Sequence, residues 1–276
     1  MEYLSYGVTE KNDCLDEIDF IIESLQINGF TTMDSGYDSE FIEKLKLASD
    51  NYAIRYNEKN DVEKLSKSGE LNNYRAPAIY DAIFLEVASN KKIADLCTRI
   101  LGSGYFLNQQ NLVINPPQGQ QYNQLRFHRD LPYQHYVSSR PLAINTLLAI
   151  DDFTLENGAT VVVGGTHKFE KFPSEKFIDE NRKQIEVKAG TYLILDCMTF
   201  HAASHNMSKK NRIGLNHVYS TLMLRPQIDW NRAFSPTEIQ QMNTSTRKLL
   251  GIGSVIPGNV DEFLENRLNK ASNWNL

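Results

Sequence analysis

The sequence predicts a mainly β protein of α+β organisation, in which helices come first and a β-sandwich or barrel follows. Over about the first hundred residues, apolar side chains recur at the three- and four-residue intervals of a helix. From Tyr105 onward the apolar stretches are short and are separated by turns containing Gly and Asn, as in sandwiches and barrels. With 41% hydrophobic and 23% charged residues, the 276-residue chain has an ordinary globular composition.

The N-terminal part contains three segments with helical periodicity. Residues 13–28 and 39–56 each predict one helix, and residues 83–101 predict one broken helix or two helices. Residues 57–73 are polar and have no clear period, so we expect a surface loop or lid there. In the first segment, the expected cap is Asn12 or Asp13, and the apolar face consists of Leu15, Ile18, Ile21, Ile22 and Leu25.

The rest of the chain alternates strand-like stretches with turns. Gln109 and Asn111 fall on one face of the first of these strands, where two amides either line a polar cavity or face water. Residues 242–250 predict a short helix near the end of the chain. Strands are predicted over residues 106–114, 124–130, 142–150, 159–163, 185–187, 191–196 and 213–224.

Charge and composition exclude several classes of function. The net charge is −5 without any block of like charge, which argues against a nucleic-acid surface or an anionic-membrane patch. The sequence has no apolar run long enough to span a membrane and no signal-peptide pattern in residues 1–16. Its three cysteines are widely spaced and predict neither disulfides nor a zinc site, so we expect a cytoplasmic protein.

A candidate metal site begins with His128 and Asp130, which are separated by one residue. On a strand, residues i and i+2 point to the same face, so an imidazole and a carboxylate would converge on one point. His201 is the best candidate for a third ligand. Two His and one carboxylate leave coordination positions open, which suits non-haem Fe(II) that also binds a cosubstrate and dioxygen. Zinc accepts the same ligands.

Arg212 follows His201 by eleven residues and opens an apolar strand. If the two residues flank a hairpin, both would lie at one mouth of a cavity. A guanidinium can hold a carboxylate through two parallel charge-assisted hydrogen bonds, although a lone Arg is commonly a solvated surface residue.

In this order, these residues resemble the phytanoyl-CoA dioxygenase family of Fe(II)/2-oxoglutarate oxygenases, over about residues 15–225. Two departures stand out, since Gly164-Gly-Thr-His167 replaces the family's usual Pro-Gly-Ser-His, and Ala203 stands where relatives often have Ser. The supporting motifs are Asp151-Asp152, Glu156-Asn-Gly158, Val162-Val-Gly-Gly-Thr-His-Lys168, Ala189-Gly-Thr-Tyr-Leu-Ile-Leu-Asp196 and Asn206-x-Ser208.

The resemblance implies a double-stranded β-helix, that is, a cupin-like jelly roll, within a single dioxygenase domain over residues 1–276. The helical part would cover about residues 1–102 and the jelly-roll core about 103–230, with a C-terminal extension over 231–276. It also implies Fe(II), 2-oxoglutarate and O2. The implied metal ligands are His128, Asp130 and His201, and the implied cosubstrate-binding residues are Arg212, Gln109 and Asn145.

The implied reaction is hydroxylation of a small polar molecule, such as a sugar, amino-acid or natural-product derivative, with release of succinate and CO2. The carboxylate of Asp130 favours hydroxylation, because relatives that halogenate carry a small residue at that position. Two alternatives stay open, namely a zinc-dependent cupin-like hydrolase or isomerase, which would not explain Arg212, and a non-catalytic jelly-roll binding protein. We expect a monomer or homodimer without nucleic-acid or membrane partners.

Overall fold

Two antiparallel sheets carry the β part of the computed structural model, which describes residues 3–118, 120–254 and 256–271. The larger sheet has the strand order β1-β7-β4-β9-β3-β2, and the smaller has the order β6-β5-β8. The strands are β1 Phe30–Asp34, β2 Asn73–Arg75, β3 Tyr105–Asn115, β4 Ala143–Ala149, β5 Val161–Val163, β6 Arg182–Gln184, β7 Thr191–Asp196, β8 Phe200–Ala202 and β9 Arg212–Thr221.

The helices lie mainly before β3 and after β9, which confirms the predicted mixture of N-terminal helices and antiparallel sheet. None of the helices in the described ranges is long and apolar enough to cross a membrane. The helices are α1 Glu17–Asn28, α2 Ser39–Lys59, α3 Val62–Ser68, α4 Ala82–Ala88, α5 Lys91–Leu101, α6 Glu175–Asn181, α7 Trp230–Ala233, α8 Pro236–Gln241, α9 Thr244–Leu249 and α10 Val260–Ala271.

Local capping sets the helix boundaries. Helix α1 begins later than predicted because Asp16 caps it by accepting a hydrogen bond from the Asp19 backbone N–H at 2.9 Å, which leaves Leu15 outside and exposed. The loop predicted over 57–73 was wrong. Asp61 caps α3 by accepting from two backbone N–H groups, and Gly69 ends this helix in the left-handed conformation.

The predicted strand boundaries also need correction. The larger sheet includes β1, which the sequence analysis missed, and the third strand of the smaller sheet is β6 rather than the predicted 185–187. Residues 124–130 do not form a strand, because only His128 pairs, in a single bridge to His201. The hairpin considered between His201 and Arg212 does not form, since β8 pairs with β5 while β9 lies between β4 and β3.

A buried apolar cluster joins the inner faces of the two sheets. It includes Val162 from the smaller sheet together with Leu147 and Leu193 from the larger one, and Phe153 packs among them from the following loop. Burial of these side chains is the main favourable contribution to folding in this region. The cluster supports the cavity that contains the candidate site.

The chain divides into two compact units, Met1–Ile228 and Asp229–Leu276. The second unit contains α7–α10, and its helix α8 begins with a capping box in which Ser235 and Glu238 bond each other's backbone N–H groups. The predicted short helix over 242–250 is confirmed as α9. Residues 272–276 of the predicted C-terminal extension lie outside the described residues, and the single-domain assignment stays a prediction.

Candidate active site

His128, Asp130 and His201 come together, and their potential ligand atoms all lie within 4.8 Å of one another. The Nε2 atoms of His128 and His201 are 3.8 and 3.7 Å from Asp130 Oδ1. His128 and His201 exchange backbone hydrogen bonds of 2.9 and 3.1 Å, and the Asp130 N–H donates to the Cys197 carbonyl at 2.9 Å. These backbone bonds hold the ligand segment next to β8, although it is not part of a regular strand.

Both imidazoles are oriented with one ring nitrogen free. His128 Nδ1 lies 2.8 Å from the Arg126 carbonyl, and His201 Nδ1 lies 2.9 Å from the Thr199 carbonyl. Because a carbonyl only accepts, each Nδ1 donates, and each Nε2 keeps its lone pair directed toward Asp130. Burial lowers the pKa of His128, and the nearby His201 lowers it further. The lone pairs of the two Nε2 atoms are therefore placed to bind one cation between them.

Asn145 on β4 fixes the carboxylate of the cluster. Its Nδ2 donates to Asp130 Oδ2 at 2.8 Å, so Oδ1, the oxygen nearest the two imidazoles, stays free. This bond also fixes the orientation of the amide and leaves Asn145 Oδ1 without a partner in the described chain. The side chain is almost completely buried, so an unpartnered acceptor there is unfavourable unless a ligand or water donates to it.

A cavity between the two sheets connects the metal-ligand cluster to Arg212. It is lined by the three candidate ligands and also by Asn145, Arg212 and Asn216. Arg212 and Asn216 lie four residues apart on β9, and their side chains project to the same face of the strand. A ligand in this cavity would therefore contact the candidate metal site at one end and a guanidinium at the other.

Arg212 is 2% exposed, and its guanidinium carbon lies 4.1 Å from the centre of the Phe153 ring. Its Nε and Nη1 have no hydrogen-bond partner in the described chain. Burial lowers the pKa of Arg212, and the neighbouring Tyr122 and Asp151 offset part of that effect. A buried cation with unpartnered donors is unfavourable on its own, so the site fits an anionic ligand such as a carboxylate.

Two asparagines, Asn115 and Asn206, hold the loop that follows His201. Asn115 Nδ2 donates to the Ser204 carbonyl at 2.9 Å and to the Gly158 carbonyl at 3.2 Å. Asn206 Nδ2 in turn donates to the Asn115 carbonyl at 2.9 Å. These bonds attach the 203–206 loop to the end of β3 beside Arg212, which gives the Asn206-x-Ser208 and Glu156-Asn-Gly158 motifs a structural explanation.

Gln109, the remaining predicted site residue, is not among the residues that line this cavity. Its Oε1 accepts hydrogen bonds from Arg75 Nη1 at 3.3 Å and from Asn111 Nδ2 at 3.1 Å. A role in binding 2-oxoglutarate stays a prediction for Gln109. Sequence reasoning missed Arg75, because nothing in residues 57–75 predicts that its strand β2 pairs with β3.

Comparison with known proteins agrees with this geometry. The model of the phytanoyl-CoA dioxygenase family matches residues 25–214. An uncharacterised protein of Mycobacterium tuberculosis is 30% identical over 207 residues, which cover 74% of this chain and 75% of that protein. The dioxygenase olcK of Penicillium canescens is 27% identical over 253 residues, which cover 85% of this chain and 80% of that protein.

Solved structures share the fold. EctD from S. alaskensis, in complex with 2-oxoglutarate and 5-hydroxyectoine, superposes with a TM-score of 0.59 at 17% identity, covering 74% of this chain and 76% of that one. The non-haem monooxygenase ThoJ in its nickel complex also gives a TM-score of 0.59 at 17% identity, covering 76% of this chain and 80% of that one.

The fold and the family match define the class of enzyme, which is that of the iron- and 2-oxoglutarate-dependent dioxygenases. The chain belongs to the phytanoyl-CoA dioxygenase family. Iron is its metal cofactor, and 2-oxoglutarate and O2 are its cosubstrates.

Proposed function

We propose that the protein hydroxylates a small polar molecule. In the balanced reaction, the substrate C–H, 2-oxoglutarate and O2 give the C–OH product, succinate and CO2. The observation that carries this proposal is the joint presence, in one cavity, of the His128, Asp130 and His201 cluster and the buried guanidinium of Arg212, whose Nε and Nη1 have no partner in the described chain. Two sheets that face each other around this cavity also support the predicted double-stranded β-helix.

His128, Asp130 and His201 are the residues that would hold Fe(II). The Nδ1–H groups of His128 and His201 donate to backbone carbonyls, and Asp130 Oδ2 accepts from Asn145. Each of the three residues therefore offers one atom to the metal. Bound iron, with 2-oxoglutarate and O2, would supply the oxidant that removes hydrogen from the substrate carbon. The carboxylate at Asp130 supports hydroxylation, because halogenating relatives carry a small residue there.

Arg212 would bind the distal carboxylate of 2-oxoglutarate. Its unpartnered Nε and Nη1 are available for charge-assisted hydrogen bonds to a carboxylate, and the enclosed position beneath Phe153 keeps competing water away. Asn145 would act beside the metal by holding Asp130 in one orientation. Fixed ligands on a rigid sheet provide the placement that this chemistry requires.

A polar substrate is supported by amide groups in the cavity. The Oδ1 atoms of Asn145 and Asn216 are both buried and have no partner in the described chain. Neither 2-oxoglutarate in its ionised form nor O2 carries a hydrogen-bond donor, so these acceptors call for a substrate hydroxyl, an N–H group or water. A sugar, amino-acid or natural-product derivative would provide such groups.

The experiment reconstitutes the protein anaerobically with Fe(II) and then measures succinate release from 2-oxoglutarate across a panel of polar small molecules. We expect one or more compounds to stimulate release and to gain one oxygen atom by mass spectrometry. A His201→Ala variant should lose both Fe(II) binding and turnover. Turnover with Zn(II) and without 2-oxoglutarate would instead support the hydrolase or isomerase alternative.

A further inference from the structure

Three amide side chains converge on the guanidinium of Arg75 at the edge of the larger sheet. Arg75 Nε and Nη2 bind Glu70 at 2.8 and 2.7 Å. Its Nη1 lies 3.3 Å from Gln109 Oε1 and 3.1 Å from both Asn111 Oδ1 and Gln227 Oε1. We call Gln109, Asn111 and Gln227 the amide cluster.

The guanidinium fixes the direction of every amide in the cluster. Because Arg has donors and no acceptor, the carbonyl oxygens must face it, and the NH2 groups must point away. Asn111 Nδ2 uses one hydrogen on Gln109 Oε1 at 3.1 Å. The NH2 groups of Gln109 and Gln227 donate to no atom of the described chain. Beyond the guanidinium, the cluster therefore presents hydrogen-bond donors.

The cluster lies on the same sheet face as the active-site cavity. Asn111 is paired with Arg75 on one side and with Asn216 on the other, and paired residues project their side chains to the same face. Asn216 lines the cavity together with Asn145. Gln109 lies on β3 and Asn145 on β4, and β9 lies between these two strands. The cluster is therefore about 10 Å across the sheet from Asn145, which bonds Asp130.

The charge of the site is balanced. Glu70 pairs with Arg75 through both carboxylate oxygens, so the cluster would recognise a ligand by the direction of its hydrogen bonds and not by a net positive charge. Gln109 and Asn111 are 8% and 6% exposed, and their bonds to Arg75 hold them in place without a ligand. Little side-chain entropy would be lost on binding, which favours affinity.

We propose that the amide cluster binds a carboxylate or carbonyl oxygen of the primary substrate. This inference rests on the proposed function, and it places the acceptor oxygen about 10 Å across the sheet from the candidate metal site. 2-Oxoglutarate is the other possible source of a carboxylate. Arg212 serves that molecule better, because its Nε and Nη1 have no partner in the described chain and it lines the cavity, whereas Gln109 does not line it.

The test replaces the outward-pointing NH2 group of an amide, which donates hydrogen bonds, by a carboxylate oxygen, which only accepts them. In Gln109→Glu, one carboxylate oxygen retains the bond to Arg75 and the other replaces the outward NH2. Gln227→Glu makes the same change at an exposed position, where folding is not at risk. Gln121→Glu is the matched control, since this exposed side-chain amide bonds with Ser66 and not with the amide cluster.

The wild-type protein is first loaded with Fe(II) and then titrated anaerobically with 2-oxoglutarate. If the absorption band of the iron–keto-acid complex does not appear, the proposed function itself has failed. The probes are a panel of small carboxylic acids, each paired with the primary amine of the same carbon skeleton, and succinate release is measured for each. We expect acids to stimulate release and their paired amines not to do so.

For the best acid, we expect Gln109→Glu and Gln227→Glu each to raise the half-saturating concentration about tenfold or more. The affinity for 2-oxoglutarate should stay within about twofold of wild type, as should both values in Gln121→Glu. Stimulation by amines, failure of every acid, or unchanged half-saturation in both variants would overturn the proposal. Weakened 2-oxoglutarate binding in Gln109→Glu would also overturn it by assigning the donors to the cosubstrate.

Discussion

Replacing Arg212 by Met is expected to abolish tight 2-oxoglutarate binding without destabilising the ligand-free protein. Met occupies a similar length of the buried site but has no charge and no donors. In the ligand-free protein, Arg212 is buried with two unpartnered donor atoms, Nε and Nη1. Each such donor carries a desolvation penalty of about 1–3 kcal/mol, which Met removes.

The opposing contribution is the stacking of the guanidinium on Phe153 at 4.1 Å, which is worth up to about 2 kcal/mol in a desolvated position. Removing the penalties of the two donors, about 2–6 kcal/mol together, at least offsets the lost stacking, so Arg212→Met should not lower the free energy of unfolding. Binding should change far more. One lost charge-assisted hydrogen bond, at about 1.5–3 kcal/mol, weakens 2-oxoglutarate affinity about 10- to 150-fold, and losing both bonds weakens it further.

The assay combines thermal unfolding of the metal-free protein with anaerobic titration of the Fe(II)-loaded protein. Pyruvate, which lacks the distal carboxylate, serves as the ligand control, and Arg140→Met at an exposed position serves as the protein control. Wild type should prefer 2-oxoglutarate to pyruvate, and Arg212→Met should lose most of that preference. Arg212→Lys should restore it only in part, because an ammonium cannot form the two parallel bonds. An undiminished preference in Arg212→Met, or a loss of several kcal/mol of stability, would refute the reasoning.

Three further predictions concern the ligands, a glycine and a buried histidine. Asp130→Gly should leave the unfolding temperature close to wild type but abolish hydroxylation, and unchanged turnover would exclude the carboxylate as a ligand. Gly158→Ala should destabilise the fold by more than about 1 kcal/mol in denaturant unfolding, because φ is +80° and the new Cβ would lie 2.3 Å from the Ser204 carbonyl oxygen. Burial lowers the pKa of His217 to about 3, whereas an unfolded His titrates near pH 6.5. The contribution of His217 to the free energy of unfolding should therefore be fully present above about pH 6.5 and should fall by up to about 1.4 kcal/mol per pH unit as the pH is lowered from about 6.5 to about 3. His217→Gln should remove this slope and exposed His205→Gln should not, as measured by denaturant unfolding at a series of pH values.

Local sequence patterns predicted the elements that bury an apolar face over many residues. The largely apolar runs of β4 and β7 lie on central strands of the larger sheet, where both faces are covered and the pattern is nearly continuous. Strand β1 was missed because its pairing with β7 joins residues about 160 positions apart and only Met33 of its five residues is buried. The same limit applied to β2, whose three residues are a strand only because β3 lies beside them.

Of the candidate site, the sequence predicted the chemistry but not the connections. His128, Asp130 and His201 come together as expected, although the strand predicted for His128 and Asp130 does not form. Arg212 lines the same cavity, although the hairpin considered between it and His201 does not form. The convergence of the three ligands comes from a few backbone bonds between two distant segments, and no short-range period encodes such contacts. Arg75 is a similar case, since its interactions with the amide cluster depend on tertiary pairing rather than on any motif.

The segment of His128 and Asp130 is not a regular strand, and Arg129 between them adds to the backbone bonds that hold it. Its backbone N–H donates to Gln134 Oε1 at 3.0 Å, and Gln134 Nε2 returns a bond to the Arg129 carbonyl at 2.8 Å, which closes the loop after the ligands. The buried Arg129 guanidinium also donates to the Thr166 carbonyl at 3.0 Å and to the Glu170 carbonyl at 2.9 Å. A side chain that bonds several backbone carbonyls at once restrains different parts of the chain relative to one another. The intervening position of the His-x-Asp motif is therefore structural in this protein, and it compensates for the regular strand that the sequence predicted there.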